Sequence, residues 1–595
     1  MEIKSVENSP EPQILLEETF YVLSKKYSTF KVRLTRKGLH LIKDAEGIPK
    51  EQIILLKDII GCQCLRSKKR TTNCTCQSLP RSDSLQVVEE NSTDLDDTDV
   101  SAYLYVYAYI FQGRKGFSKK RERTIITLRF RSFDKYEDNN KEAQRWRCAI
   151  KKLIKGEPLN SSMLNDYLSV VHHKENRRLL ILCNPKSGAG KGRQIFQQKV
   201  APILNEAEIP YDLYMTKNSN YARDFVRTSN VFQWTGIIGV GGDGIIFEIV
   251  NGIFERPDWS EVLKSIPIGV IPGGSGNGLA RSVAHHASEP YFPSTTLPST
   301  LAAIRGYTEP MDIVRVETVS NILFSFLSVG WGLLSDIDIE SERLRMLGGT
   351  RFTVWSVARL IGLRSYKGKL WYLPSSIPFS NTAPSLLNDS LNKGSTLDLP
   401  TEVHLETQQG RQRLDSWYSA HSRRSTYFST GGSSYQSTTD SGLGDGDNCT
   451  IRNRTRRMFG PASQLPSLTA PLPVEWKCIE GRFVMVHASY QTHLGEDCLF
   501  APEAQLNDGR IWLLVVKHGA SRSQLLQFLL GLNTGAHALA ENKDPSGFIE
   551  LIAVNAFRIE PDMSQIGYMT VDGEHVDYGP IQAEVFPGLS KIMVP

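Results

Sequence analysis

Apolar and polar positions alternate through "TFYVLSKKYSTFKVRLTRKGLHLIK", and again in "AYLYVYAYIF" and "RTIITLRFRSF", so a meander of strands is expected near the start of the chain. The period then lengthens. "YEDNNKEAQRWRCAIKKLIKG" places apolar residues at helical spacing with Trp146 on the buried side, which predicts one amphipathic helix closing residues 18–156. Residues 1–17 carry no such pattern and are expected to be disordered.

Between residues 177 and 310 strands and helices take turns. "RRLLILCNP", "YDLYMT", "TGIIGV" and "IPIGVIPGG" read as strands, each followed by a helical run, which predicts a parallel sheet covered on both faces. In such sheets ligands sit at the carboxyl ends of the strands. From residue 311 to 595 the strands lengthen, as in "ILFSFLSVGWG" and "GRFVMVHASY", and a β-rich domain is expected. Residues 374–473 interrupt it with "RRSTYFSTGGSSYQSTTDSGLGDGDN", too poor in apolar residues to fold and suited to phosphorylation.

Composition narrows the classes. Hydrophobic residues are 40% and charged residues 22% of the 595, ordinary for a globular protein. A net charge of +5 gives no support to nucleic-acid binding. No apolar run reaches the length of a membrane span, and "MEIKSVENSPEPQ" lacks a signal-peptide core, so a cytoplasmic location is expected. The nine cysteines make no disulfide framework, and Cys62, Cys64, Cys74 and Cys76 read as reduced thiols in a surface loop rather than a zinc site.

Three glycine turns carry the chemistry. "NPKSGAGKG" joins a strand to a helix, and its backbone N–H groups with Lys186 and Lys191 suit an anion. It lacks the Gly and Ser/Thr of a Walker A loop. "GVGGDG" fits G-x-G-x-x-G, but Asp243 inside it would face a pyrophosphate, so a carboxylate here belongs beside a hydroxyl that must lose a proton. "IPGGSGNGLA" supplies further N–H groups. Together they suit phosphoryl transfer to an alcohol.

With "NPKSGAGKG", "GGDGIIFEIVNGIFERPDW", "IPGGSGNGLA", "GWGLLSDIDIESERLRMLGG" and "VDGEHVD" in this order, the chain from Arg177 onward resembles the sphingosine kinases of the diacylglycerol-kinase-catalytic superfamily. The resemblance implies an α/β nucleotide-binding domain, a β-rich lipid-binding domain, and the transfer of the ATP γ-phosphate, with Mg²⁺, to the primary hydroxyl of sphingosine or sphinganine. It implies Asp243 as general base, with Gly241, Gly242, Gly244, Ser328 and Asp338 on the lipid, Asp338 meeting the sphingoid amine. It implies Asn184, Pro185, Lys186, Thr216, Asn220, Glu248, Gly273, Gly274, Ser275, Arg345, Arg351, Asp572, Gly573 and Glu574 at the nucleotide. No metal ligand is assigned.

Asp336 is read as a helix N-terminal acid favoured by the macrodipole. Arg351–Lys369 resembles the family's helix that meets membranes and calmodulin-like partners, and its pattern equally fits a partly buried core helix. Peripheral membrane association is therefore expected, and a homodimer stays open. The front strands and helix resemble a pleckstrin-homology-like module, whose basic run at residues 113–123 suits either anionic lipid or a solvated loop. Gly241 stands where many sphingosine kinases have Ser, as in ceramide and diacylglycerol kinases, which are the alternatives within the class. A catalytically inactive lipid-binding scaffold and a nicotinamide oxidoreductase are those outside it.

Overall fold

The computed structural model describes residues 13–22, 28–43, 50–66, 100–112, 119–159, 177–341, 350–375, 457–538 and 547–595. At the centre is the expected parallel sheet. Strands Tyr211–Met215, Leu179–Cys183, Gly236–Gly241 and Ile268–Pro272 lie side by side in that order, with their carboxyl ends in register. Residues such as Leu180, Ile181, Ile237 and Ile238 are fully buried, as continuous apolar runs covered on both faces must be.

The last strand of the chain, Ile581–Val594, adds to this sheet in parallel through Ile268 and Ile592. The same strand pairs antiparallel with Tyr307–Thr318 and with Ile549–Pro561. From there the β-rich domain continues through Tyr366–Pro374, Lys477–Ser489 and Ser328–Gly332 to the hairpin Met569–Val571 and Glu574–Val576. One run of hydrogen-bonded strands therefore passes through both domains.

Two expectations need correction here. "ILFSFLSVGWG" is two strands, Ile322–Ser325 and Ser328–Gly332, because the backbone N–H groups of Phe326, Leu327 and Ser328 turn toward the Asp572 carboxylate. The insert expected over residues 374–473 also ends before Pro473, since residues 457–473 are described and bonded to the β-rich domain. The Phe459 amide donates to Phe254, Ser463 Oγ to Glu584 at 2.6 Å, and Arg558 reaches the Ala470 and Ser467 carbonyls. Glu584 and Arg558 are buried charges on strands, and this polar stretch satisfies them where composition alone suggested none would be needed. Residues 376–456 of the insert, and residues 1–12 at the start, lie outside the described residues.

The front of the chain forms a four-stranded sheet over Ile14–Leu55, a three-stranded sheet of Ile59–Leu65, Ala102–Gln112 and Lys120–Phe130, and the helix Tyr136–Ile154. Trp146 is buried against Phe20 and Phe130, both ring centroids at 6.4 Å. Cys62 and Cys64 lie in a strand rather than a surface loop, and Cys62 is buried. Burial pushes the Cys64 thiol up to about 12, so it stays neutral and unreactive. Cys74 and Cys76, and residues 113–118 of the basic run, are outside the described residues.

This front module is clamped onto the α/β layer. Tyr103, Tyr105, Tyr107 and Tyr109, alternate positions of one strand, pack with Ile203, Leu204 and Ile209. Arg121 donates two bonds of 2.6 Å to Glu289 and one of 2.8 Å to Asp58, all three side chains being at most 9% exposed. Arg147 and Lys151 both hold Glu208. The charged residues of "KKRER" thus serve, at Arg121 and Arg123, as contacts within the protein.

Candidate active site

All three glycine turns emerge at the carboxyl edge of the parallel sheet, and they touch. Gly273 N donates to Gly241 O at 2.8 Å, Asp243 N to Gly276 O at 3.2 Å, and Gly242 N to Ser187 Oγ at 3.0 Å. The approach is too close for side chains. A Cβ on Gly274 would lie 2.3 Å from the Gly242 Cα, so neither the second nor the third turn tolerates one.

Asp243 is the first residue of the helix Asp243–Phe254 and is only 7% exposed. Its Oδ2 accepts from Gly278 N at 2.8 Å and its Oδ1 from Leu279 N at 3.2 Å, the opening N–H groups of the helix Gly278–His286. Burial raises its carboxyl, the two N–H bonds lower it, and the charge of Glu496 raises it again, leaving it at about 6. Each oxygen keeps a lone pair free for a proton.

On the nucleotide side, Asn184 Oδ1 accepts from Lys186 N at 3.0 Å and fixes the first turn, with Lys186 exposed at its rim. The helix that follows contains a π turn, Phe196–Val200, just before Pro202. Thr216 sits beside this turn, its N–H on Cys183 O at 2.9 Å. Asn220 is left-handed (φ 63°), and both oxygens of Glu248 are used nearby, accepting from Asn220 N and Ala222 N at 3.0 and 2.9 Å. Glu248 therefore positions the Asn220 segment. Arg345 lies outside the described residues, as does the side chain of Arg351 within the helix Thr350–Ile361.

The "VDGEHV" segment is a hairpin, and the Asp572 expected at the nucleotide stands in its turn. Asp572 and Gly573 have φ of 51° and 82°, the two positive values a two-residue turn between right-twisted strands requires. The buried Asp572 carboxylate accepts from Ser325 Oγ (2.6 Å), Leu327 N (2.9 Å), Ser328 N (2.9 Å) and Phe326 N (3.2 Å). It is a structural hub. Glu574, just past the turn, does reach the site: its Oε1 is 2.7 Å from where a Cβ on Gly244 would stand. Asp338 lies across the same tip, its Oδ2 3.2 Å from the corresponding point on Gly573. The hairpin tip thus brings Asp338, Glu574 and the Asp243 turn together, with Ser328 on the strand behind it.

Asp336 is indeed in the first turn of the helix Leu333–Ser341, but it is buried, and burial pushes it to about 6. It is held by Tyr366, whose hydroxyl donates to Oδ2 at 2.7 Å. No cluster of three His, Cys, Asp or Glu suited to a metal occurs among the described residues.

Four residues escaped the sequence reading. Ser187 and Asn277 lie inside quoted motifs, and Asn277 stands at an N-cap position, which was a usable signal. Tyr291 and Glu496 carried none, because only the fold brings them to the turns.

The diacylglycerol kinase catalytic domain family matches residues 178–316, and the YegS C-terminal NAD kinase beta sandwich-like domain matches 470–594. Sphingosine kinase 2 of Homo sapiens is 32% identical, over 95% of this chain and 88% of its own length. Sphingosine kinase 1 of Mus musculus is 33% identical over 69% and 89%, and sphingosine kinase 1 of Arabidopsis thaliana 29% over 67% and 68%. Among solved structures, a putative diacylglycerol kinase from Bacillus anthracis aligns over 71% of this chain and 95% of its own, at 16% identity and TM-score 0.41.

The Asp572 hub gives a direct check. Asp572→Asn halves the acceptors available to four buried donors, each worth about 1–3 kcal/mol when left unpaired. Its urea midpoint should fall clearly, while the ATP affinity of the folded protein stays at the wild-type value. A selective loss of ATP binding at unchanged stability would place Asp572 at the nucleotide.

Proposed function

The chain belongs to the sphingosine kinase family and is an ATP-dependent lipid kinase, and on that premise we propose how it works. Asp243 is the general base. It takes the proton of the sphingoid primary hydroxyl as that oxygen attacks the γ-phosphorus of ATP. The observation that carries this is a buried carboxylate, held by two backbone N–H groups at the junction of three glycine turns and raised to about 6. Such a group is ionised at neutral pH yet basic enough to accept a proton.

The turns at Asn184–Gly192 and Gly273–Ser275 offer backbone donors, with Lys186, to the nucleotide's phosphates, and Thr216 and Asn220 flank them. Mg²⁺, when bound, would supply charge neutralisation at the phosphates. On the lipid side, Asp338 pairs with the sphingoid ammonium and Ser328 lies behind it. Ceramide has a neutral amide at that atom and diacylglycerol has no nitrogen, so the carboxylate at the hairpin tip favours the free base over either alternative.

The enzyme must also meet a bilayer. No helix among the described residues is long and apolar enough to cross one. The helix Thr350–Ile361 packs Leu360 inward and turns Val357 and Ile361 outward, 54% and 73% exposed. Arg522 ties its end to the helix Arg522–Gly531, which exposes Leu526 and Leu530 in turn. These four residues make the apolar face of a peripheral membrane contact. Arg359 and Arg364 are engaged with Glu340, so charge is the smaller part of it. The front module's seven strands and closing helix support its reading as pleckstrin-homology-like. A cytoplasmic, peripherally associated enzyme follows from these readings, and a calmodulin-like partner at 351–369 would compete for the same face.

Asp243→Asn should lower turnover by about 10²–10⁴-fold without unfolding the protein. In the wild type, activity should fall as the pH drops through about 6, because protonated Asp243 cannot accept a proton. A near wild-type rate for Asp243→Asn would remove the assignment. Asp338→Asn should cost sphingosine more than tenfold in kcat/KM, from a charge-assisted bond of about 1.5–3 kcal/mol, with ATP binding retained. Equal phosphorylation of ceramide by the wild type would sink the sphingoid reading. Val357→Gln with Ile361→Gln should abolish most sedimentation with anionic liposomes, and unchanged sedimentation would leave that helix a purely structural role.

A further inference from the structure

Glu496 stands in the loop after strand His493–Gly495, in the β-rich domain, yet its side chain works in the other domain. Its Oε1 accepts from Asn277 Nδ2 at 2.8 Å and from the Tyr291 hydroxyl at 3.0 Å. Asn277 in turn brackets the third glycine turn, its Oδ1 accepting from Gly274 N and its Nδ2 donating to Gly274 O, both at 3.0 Å. The two residues after Asn277 are Gly278 and Leu279, whose N–H groups hold Asp243. One carboxylate oxygen thus secures the turn that orients the base.

We propose that Glu496, steadied by Tyr291, is a positioning residue that sets the orientation and the proton affinity of Asp243. The proposal rests on Asp243 being the base. The Tyr291 loop is anchored from its far side as well, since Glu289, two residues earlier, is the buried partner of Arg121 in the front module. Around Asp243 the other ionisable groups are few. Glu574 lies beside Gly244, Tyr291 is held neutral by burial and by Glu496, and Arg281 follows on the Gly278–His286 helix. His493, on the strand before Glu496, is pushed down to about 3 by burial and is neutral. Among the described residues, the charge of Glu496 acts to raise the Asp243 carboxyl.

The test is the acidic limb of the kcat/KM–pH profile for sphingosine in the full-length enzyme. Glu496→Gln keeps an acceptor for Asn277 and Tyr291 and removes only the charge, so the limb should move down by roughly half a pH unit. Glu496→Ala loses both bonds, and should show the same shift together with a several-fold higher KM for ATP. Tyr291→Phe takes away the donor that damps the Glu496 charge, so the limb should move the other way, to higher pH. A merely structural residue would not give opposite shifts. Limbs for Glu496→Gln and Tyr291→Phe that coincide with the wild type overturn the inference, provided the limb vanishes from the residual activity of Asp243→Asn. A limb that persists in Asp243→Asn overturns the base assignment itself, and this proposal with it. Should Glu496→Gln prove unstable, Tyr291→Phe alone decides by the sign of its shift.

Discussion

The site depends on two backbone turns being allowed to touch. Gly242 and Gly274 approach so closely that one β-carbon on Gly274 would overlap the Gly242 backbone, and the helix beginning at Gly278 is thereby brought against Asp243. A buried carboxylate is costly unless donors meet it. Here the donors are helix-opening N–H groups that have no partner within their own helix, so one contact relieves both deficits. The same geometry leaves the acid neither strongly stabilised nor neutralised, which is the condition for a base working near neutral pH.

That contact lies within the α/β domain, and further ties to it come from the β-rich domain. The strand Ile581–Val594 is hydrogen-bonded to the parallel sheet at Ile592 and to the β-rich strands along the rest of its length, so the chain's end is built into the core between its domains. The ties at the cleft are made on that frame. The hairpin tip at Asp572–Gly573 sets Glu574 against Gly244, and the loop after His493 sets Glu496 against Asn277. Both reach from the β-rich domain to the α/β domain, within a frame that their own strands fix.

Much of this was legible in the residues. The parallel sheet, the position of the glycine turns at strand ends and the burial of Trp146 follow from periodicity, because side-chain burial and backbone period are one constraint. Asp243 stood out because an acid in a glycine turn has no structural need to be there. Other residues misled. The hairpin at Asp572 and Gly573 went unread, although Asp-Gly between apolar runs is its signal. The segment at Met458–Pro473 looked too polar to fold, since composition does not show that Glu584 and Arg558 are buried on strands awaiting partners. Tyr291 and Glu496 were invisible for the same reason: their roles exist only across more than 200 residues of separation.

The distribution of carboxylates around the cleft then acquires a division of labour that motif matching does not supply. Asp572 accepts from backbone donors and a hydroxyl in the interior and so shapes the Ser325–Ser328 turn. Glu248 spends both oxygens on the Asn220 segment and shapes the nucleotide side in the same manner. Glu496 shares one oxygen between Asn277 and Tyr291, and its charge acts to raise Asp243. Asp243, raised by burial to about 6, meets one backbone donor on each oxygen, whereas Asp572, raised to about 7, is enclosed by four donors. Glu248 meets two backbone donors as Asp243 does, so what sets Asp243 apart is its place at the junction of the three glycine turns.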